Sequence, residues 1–284
     1  MKPDTSVIIS TYNSPEWLEK VLHSYLIQSY RDFEIVIADD GSGVETKELI
    51  DKFRISSDIE IRHVWHEDNG FQKTIILNKA IVESQGRYLI FSDGDCIARK
   101  DFIDKHIAVR EPGYFLSGGY FKLPMSISND ISVDDIQSQT CFDIDWLRSR
   151  GLKSSFKNNK LTSFGVKEKF LNAVTPTSAT WNGHNASGWR SDILEANGFD
   201  ERMQYGGEDR ELGERLFNAG IKSKQIRYSA ICLHLDHARG YVKPEMIQKN
   251  RQIRESTKKN RITRTEYGIQ QHAVEDRELA EPSV

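Results

Sequence analysis

Between Ser6 and Phe91 short β-branched runs alternate with segments of helical periodicity, and no other feature of the chain restricts its fold as strongly. "SVIIS" (Ser6–Ser10), "FEIVIA" (Phe33–Ala38), "IEIRHV" (Ile59–Val64) and "RYLIF" (Arg87–Phe91) read as strands. Ser14-Pro15 suits the start of a helix, and Trp17, Leu18, Val21, Leu22, Tyr25 and Leu26 follow at helical spacing. Glu45–Phe53 and Lys73–Ser84 predict two more helices, the second with Ile76, Leu77, Ala80 and Ile81 on one face. Such alternation predicts an α/β fold with a mostly parallel central sheet flanked by helices. Ligands of these sheets sit beyond the carboxyl ends of the strands.

The strand exits therefore form one candidate site. The first strand runs into Ser10-Thr11-Tyr12-Asn13, the second into Asp39-Asp40-Gly41-Ser42, and the fourth into Asp93-Gly94-Asp95. Taken singly, each has an ordinary explanation: Asn13 and Ser14 as a helix cap, Asp40-Gly41-Ser42 as turn chemistry, Asp93-Gly94-Asp95 as a solvated turn. Their recurrence at successive strand ends argues for a shared edge. Two carboxylates separated by one small residue suit a hard divalent cation that leaves positions open for phosphate oxygens. Phosphatases of the haloacid-dehalogenase type also use paired aspartates, but at the end of the first strand and followed by threonine or valine, whereas Asp95 precedes Cys96.

Composition bounds the rest. A chain of 284 residues can bury a large core, and a net charge of -3 favours no nucleic-acid partner. Cys96, Cys141 and Cys232 are odd in number and contain no C-x-x-C pair, which suggests reduced thiols in a cytoplasm. No charged-then-apolar leader opens the sequence, and no apolar run reaches the roughly 18 residues of a spanning helix. A cytoplasmic location is expected.

In the second half, Gly188–Asn197 reads as a turn and short helix ended by Gly198. Glu208-Asp209 open another helix behind Gly206-Gly207. An acid in a first turn favours the helix dipole by roughly 0.3–1 kcal/mol, so capping explains one of the two. The glycines let backbone approach a ligand closely, and the second acid points to chemistry.

The segments "VIISTYN", "IVIADDGS", "HEDNGFQKTIILNKAI", "YLIFSDGDCI", "GHNASGWRSDILEANGFDE", "YGGEDRELGERL" and "LHLDH" occur in that order over Ser6–His237. Together they resemble the inverting glycosyltransferases of family 2, which have the A-type nucleotide-diphospho-sugar fold. The nearest flavour is that of bacterial chondroitin-polymerase-like and capsule or O-antigen transferases, with a galactosyltransferase-like C-terminal segment. The resemblance implies a Rossmann-like nucleotide half and an acceptor half. It also implies a UDP-sugar donor, Mn²⁺ or Mg²⁺, and transfer of a hexose or N-acetylhexosamine to a hydroxyl of a glycan or lipid-linked saccharide with a β linkage.

On that resemblance Ser10, Thr11, Tyr12, Asn13 and Gly94 border the nucleotide, and Asp40 accepts a hydrogen bond from uracil N3–H. Asp93 and Asp95 face the diphosphate as metal ligands, with His234 as third ligand and His237 in reserve. Asp209 is the general base, and Glu208 orients the acceptor hydroxyl or shares its proton. Where the family often has arginines, this chain has Gln72 and Leu77, so either Lys73 or Lys79 meets phosphate. Asn185 occupies the place of a sugar-pocket asparagine, flanked by His184 and Trp189, and Trp181 and Trp189 either stack on sugar or belong to the core.

The expected organisation is one glycosyltransferase domain over 1–240, divided at about 117/118, with a variable insert at 125–175 and a basic helical tail at 241–284. The insert is acidic from Asp130 to Asp145 and basic from Arg148 to Lys169, either a solvated face or a loop that covers the donor or meets an anionic acceptor. The tail reads as a packed or solvated helix, or as one lying on anionic lipid at the inner face of the cell membrane, and "AVEDRELAEPSV" as a frayed end. Two other classes stay open. A nucleotidyltransferase would carry a glycine-rich basic loop where this chain has "STYNSPEW", and a non-catalytic sugar-binding module would have little use for both Asp93/Asp95 and Glu208/Asp209.

Overall fold

A computed structural model describes residues 2–237 and 243–270; the C-terminal stretch from Ala273 read as frayed lies outside them. The first half follows the predicted alternation: β1 (Thr5–Thr11), α1 (Pro15–Leu26), β2 (Phe33–Asp39), α2 (Val44–Ser56), β3 (Ile61–Trp65), α3 (Lys73–Glu83) and β4 (Tyr88–Asp93). After it come β5 (Cys96–Ala98), α4 (Phe102–Val109), β6 (Tyr114–Ser117) and β7 (Gly119–Lys122). The insert folds into short helices, α5 (Met125–Asp130), α6 (Val133–Gln137), α7 (Ile144–Ser149), α8 (Asn159–Thr162) and α9 (Gly165–Val174). The chain continues through β8 (Ala186–Trp189), α10 (Arg190–Glu195), α11 (Glu208–Asn218), β9 (Lys222–Gln225), β10 (Ile231–His234) and α12 (Pro244–Lys259).

The main sheet has the order β3-β2-β1-β4-β8-β6-β9, and a small second sheet has the order β5-β10-β7. Strands β1 to β4 run parallel, whereas β8 is antiparallel to both β4 and β6. Alternating side chains divide the core in two. Val7, Ile9, Ile35, Ile37 and Ile90 pack with Leu18, Val21 and Leu22 of α1. Ile8, Val36, Leu89 and Phe91 pack on the other face with Ile76, Leu77 and Ile81 of α3 and Leu212 and Leu216 of α11. Register brings the three exits level, since Ser10 lies opposite Ala38 and Asp93 while Thr11 lies opposite Asp39.

β5 to β9 escape a reading by periodicity because they are only three or four residues long. The basic C-terminal stretch, which the sequence leaves open as a packed, a solvated or a lipid-bound helix, packs against the rest of the chain as far as it is described. Arg254 of α12 pairs with Glu214 of α11, Thr257 donates to Glu211, and Ile269 enters the core beside α3 and α10. The three thiols are free and buried, and no described helix is long and apolar enough to cross a membrane.

Candidate active site

At the β1 exit, the Ser10 hydroxyl donates to Asp93 Oδ1 at 2.6 Å, and Lys73, in the first turn of α3, reaches the same oxygen at 2.7 Å. Burial by itself would raise the pKa of Asp93, but the Lys73 ammonium and the Ser10 hydroxyl outweigh it and hold the carboxyl well below its usual range. Burial likewise disfavours a charged Lys73, and the carboxylates of Asp93, Asp209 and Glu208 overcome it and push its pKa up. One ammonium thus feels the exit of β4 and the start of α11 together. Lys79 lies about 9 Å further along α3 and about two-thirds of a turn round it, so the structure gives the place beside Asp93 to Lys73.

Gly94 turns the chain tightly: its N–H donates to Ser10 O at 2.7 Å, and a Cβ there would sit 3.0 Å from that oxygen and 3.2 Å from Thr11 Oγ1. Beyond it, the antiparallel β5–β10 ladder sets His234 opposite Cys96, and Leu235 N–H donates to Asp95 O at 2.9 Å. Asp95 Oδ2 lies 3.5 Å from His234 Nε2 and 3.0 Å from His237 Nε2. Ligand atoms of these three residues fall within 4.8 Å of one another. His234 Nδ1 is buried without a partner, and the two imidazoles stack at 5.7 Å. Asp93, also expected among the metal ligands, is not one of these three clustered residues, and its Oδ1 takes the bonds from Lys73 and Ser10.

Asp40 Oδ1 lies 2.8 Å from His66 Nε2, and Gln72 N–H donates to Oδ2 at 3.0 Å. Tyr12 is half exposed with its hydroxyl on Asp68, and Asn13 Oδ1 accepts from Gly43 N–H. Asn185 is fully enclosed instead of lining a sugar pocket. Its amide donates to Gly119 O and Ala230 O, and its Oδ1 meets His106. The chemistry that explains this is local: a buried amide must use its hydrogen-bonding groups, and three neighbours saturate it. Trp181 is core, against Phe91 and Phe115, and Trp189 spends its N–H on Glu111 O.

On the opposite wall, Gly206 and Gly207 adopt positive φ of 112° and 91° and deliver α11 with both acids in its first turn. Glu208 folds back to accept the Gly206 N–H at 2.8 Å. Asp209 lines a cavity of about 540 Å³ together with His184, and its Oδ1 is buried without a partner. Burial, then the charges of Glu208 and Asp93, raise Asp209 to about 7 against the pull of Lys73. His184 links the two walls: burial lowers its pKa to about 4 against the nearby charges of Asp93 and Asp95, while Gly183 before it touches Asp209. His184 and His237 were named from sequence only as a flanking and a reserve residue. Their contributions depend on a loop and a strand end that no local pattern marks.

The sequence model of the family described as "Glycosyl transferase family 2" matches residues 6–117, the segment that carries β1 to β6. It is similar to the putative teichuronic acid biosynthesis glycosyltransferase TuaG of Bacillus subtilis, 35% identical over 106 residues, 37% of this chain and 41% of the relative. Among solved structures it resembles Staphylococcus aureus TarS 1–349 in complex with UDP-GlcNAc, with a TM-score of 0.56 at 17% identity over 89% of this chain and 65% of that one. It also resembles the mannosyltransferase PcManGT of Pyrobaculum calidifontis in complex with GDP-Man and Mn²⁺, with a TM-score of 0.55 at 17% identity over 85% and 59%. These likenesses confirm the A-type glycosyltransferase fold. The chain spans less than two thirds of the length of the curated relatives named first by similarity, 41% and 64% for two from Bacillus subtilis.

Proposed function

We propose that the chain is a metal-dependent inverting glycosyltransferase. It moves a hexose or N-acetylhexosamine from a UDP-sugar to a hydroxyl of a glycan or lipid-linked saccharide in surface polysaccharide synthesis. The observation that carries the proposal is the Lys73 ammonium, bonded to Asp93 and stabilised by Asp209 and Glu208, which supports reading Asp93 as the donor-side and Asp209 as the acceptor-side carboxylate of one site.

Asp95, His234 and His237 suit a divalent cation, since a carboxylate and two imidazoles converge and His234 Nδ1 is left without a competing partner. Imidazole donors favour Mn²⁺ over Mg²⁺ in such a set. A cation bound there supplies Lewis-acid charge to the departing diphosphate. The protein's own groups do the rest. Tyr12, Asn13 and Asp40 hold the nucleotide at the ends of β1 and β2, where the second lone pairs of the Asp40 carboxylate remain for the uracil N3–H. Lys73 meets phosphate beside Asp93. Asp209 Oδ1 takes the proton of the acceptor hydroxyl as that oxygen attacks the anomeric carbon from the face opposite UDP, so an α-linked donor gives a β product.

Incubation with UDP-sugars, Mn²⁺ and hydroxylated acceptors is expected to release UDP, and the Asp209→Asn variant is expected to bind donor without transfer. Release of pyrophosphate in place of UDP would indicate a nucleotidyltransferase. Tight donor binding with no turnover would indicate a sugar-binding module.

A further inference from the structure

The cavity beside Asp209 is far more basic than the protein around it. Its wall carries one carboxylate, Asp209, and five cations, Lys122, Lys157, Lys160, Arg210 and Arg227, in a chain whose net charge is -3. Lys122 is balanced by Asp236 at 3.0 Å, but none of the other four has a carboxylate partner among the described residues. Lys157 and Lys160 come from the insert at 125–175, and Lys160 meets Arg227 over Gly119.

The innermost pair forms a cradle. A Cβ placed on Gly119 would lie 3.5 Å from Lys160 Nζ and 3.4 Å from Arg227 Nε. Lys160 Nζ donates to Tyr120 O at 2.6 Å, and Arg227 Nη1 donates to Thr177 Oγ1 at 3.2 Å, so both head groups are held in place. Arg227 Nε is buried without a partner. Burial and then the neighbouring Arg227 lower Lys160 to about 8, the penalty of holding two like charges together out of water. An unbalanced, half-buried cation pair of this kind is unfavourable unless an anion enters.

We infer that the acceptor taken by this site is anionic and carries an oxyanion, phosphate or carboxylate, close to the hydroxyl that is glycosylated. The oxyanion lies in the Lys160/Arg227 cradle beside Gly119, and the hydroxyl reaches Asp209 on the same cavity wall. The inference rests on the glycosyltransferase reading of Asp209. It gives the insert a role, since the insert supplies two of the cations.

The test compares a neutral hexose, a hexuronate and a hexose phosphate as acceptors, with UDP-sugar and Mn²⁺ present, reading UDP release above the acceptor-free rate. An anionic acceptor is expected to show roughly tenfold or higher kcat/KM than the neutral one, the value of one charge-assisted hydrogen bond. That preference should shrink as salt rises from about 0.1 to 1 M. Which anionic acceptor is preferred separates carboxylate from phosphate. Lys160→Gln, Arg227→Gln and the solvent-facing Lys157→Gln should each reduce the preference through acceptor KM. Equal use of neutral and anionic acceptors by the native protein would overturn the inference. So would variants that raise the KM of UDP-sugar and leave acceptor preference intact, because the cations would then serve the donor diphosphate. Calorimetric binding of the same three compounds in the presence of UDP decides the case in which no transfer occurs. Selective binding of the anions would then sustain the cradle and sink the transferase reading, whereas equal binding would sink the cradle.

Discussion

Replacing Asp209 with asparagine is expected to stabilise the protein while abolishing transfer. Asp209 is raised from 3.8 to about 7 by burial and by the charges of Glu208 and Asp93. About three pKa units at about 1.4 kcal/mol each set an upper limit near 4 kcal/mol for keeping this carboxylate ionised in the folded state. The amide loses part of the pull from Lys73 and from the Gly183 N–H, so a net gain of about 2 kcal/mol is expected. For a chain of this size that amounts to about 4 °C in Tm.

The sign follows from proton binding. Between the unfolded value of 3.8 and the folded value of about 7 the native state holds the proton that the unfolded chain releases, so native stability falls as pH rises through that window. The Asn variant has no such proton. Its advantage should be absent near pH 4 and complete above about pH 7, measured by calorimetry at several pH values without metal or donor. Transfer should fall by roughly 10² to 10⁴ at the same time, and native kcat/KM should rise with pH through about 7. A variant no more stable than the native protein at pH 8, or a difference that does not change with pH, would refute the electrostatic reasoning behind Asp209 as base.

Asp95→Asn and His237→Ala should each remove the part of the UDP-induced Tm rise that requires Mn²⁺; a rise that survives in both would take the metal away from this cluster. Lys73→Met should cost about 2–3 kcal/mol in urea unfolding by leaving Asp93 and Asp209 without their shared cation, with Lys73→Arg retaining most of it. An unchanged midpoint for Lys73→Met would show that the ion pair contributes nothing. Asn250→Ala removes two hydrogen bonds, to Gln204 O and Gly206 O, that tie α12 to the glycine turn before Asp209. It should lower kcat more than it weakens donor binding, and cost about 1–2 kcal/mol in stability; an equal loss in both kinetic constants would argue against a positioning role.

The strand exits were legible because a parallel sheet concentrates its polar loops at one edge, and the register of Ser10 with Asp93 and of Thr11 with Asp39 delivers that arrangement. The pairing of Lys73 with Asp93 was only half legible. Sequence narrowed the cation to two lysines of one helix, but the choice depends on which face α3 turns to β4. The Asp95/His234/His237 cluster depends on a three-residue antiparallel ladder, too short to announce itself by periodicity. Asn185 misled because an asparagine in a polar loop looks the same in sequence whether its amide faces a ligand or locks Gly119 and Ala230 in the interior. The bracing of Gly206 and Gly207 by Ile247 and Arg254 of α12 was hidden for a different reason, since the basic composition of that helix reads equally well as a solvated surface.

The two adjacent acids of α11 show how position alone assigns different work to like residues. Glu208 turns back over the first turn and spends its carboxylate on the Gly206 N–H, which pins the left-handed glycines that start the helix. Asp209, one residue and about 100° further round, lines the cavity, and its Oδ1 is buried without a partner. A carboxylate whose lone pairs are occupied is a poor proton acceptor, whereas one that is buried, keeps one oxygen unpartnered and is raised to about 7 is poised to take a proton near neutral pH. Exchanging the pair, with Asp at 208 and Glu at 209, would keep the charge and the first-turn dipole contribution. It would shorten the reach to Gly206 N–H and push the longer acid into the wall formed by Gly183, so both the turn and the base should fail together.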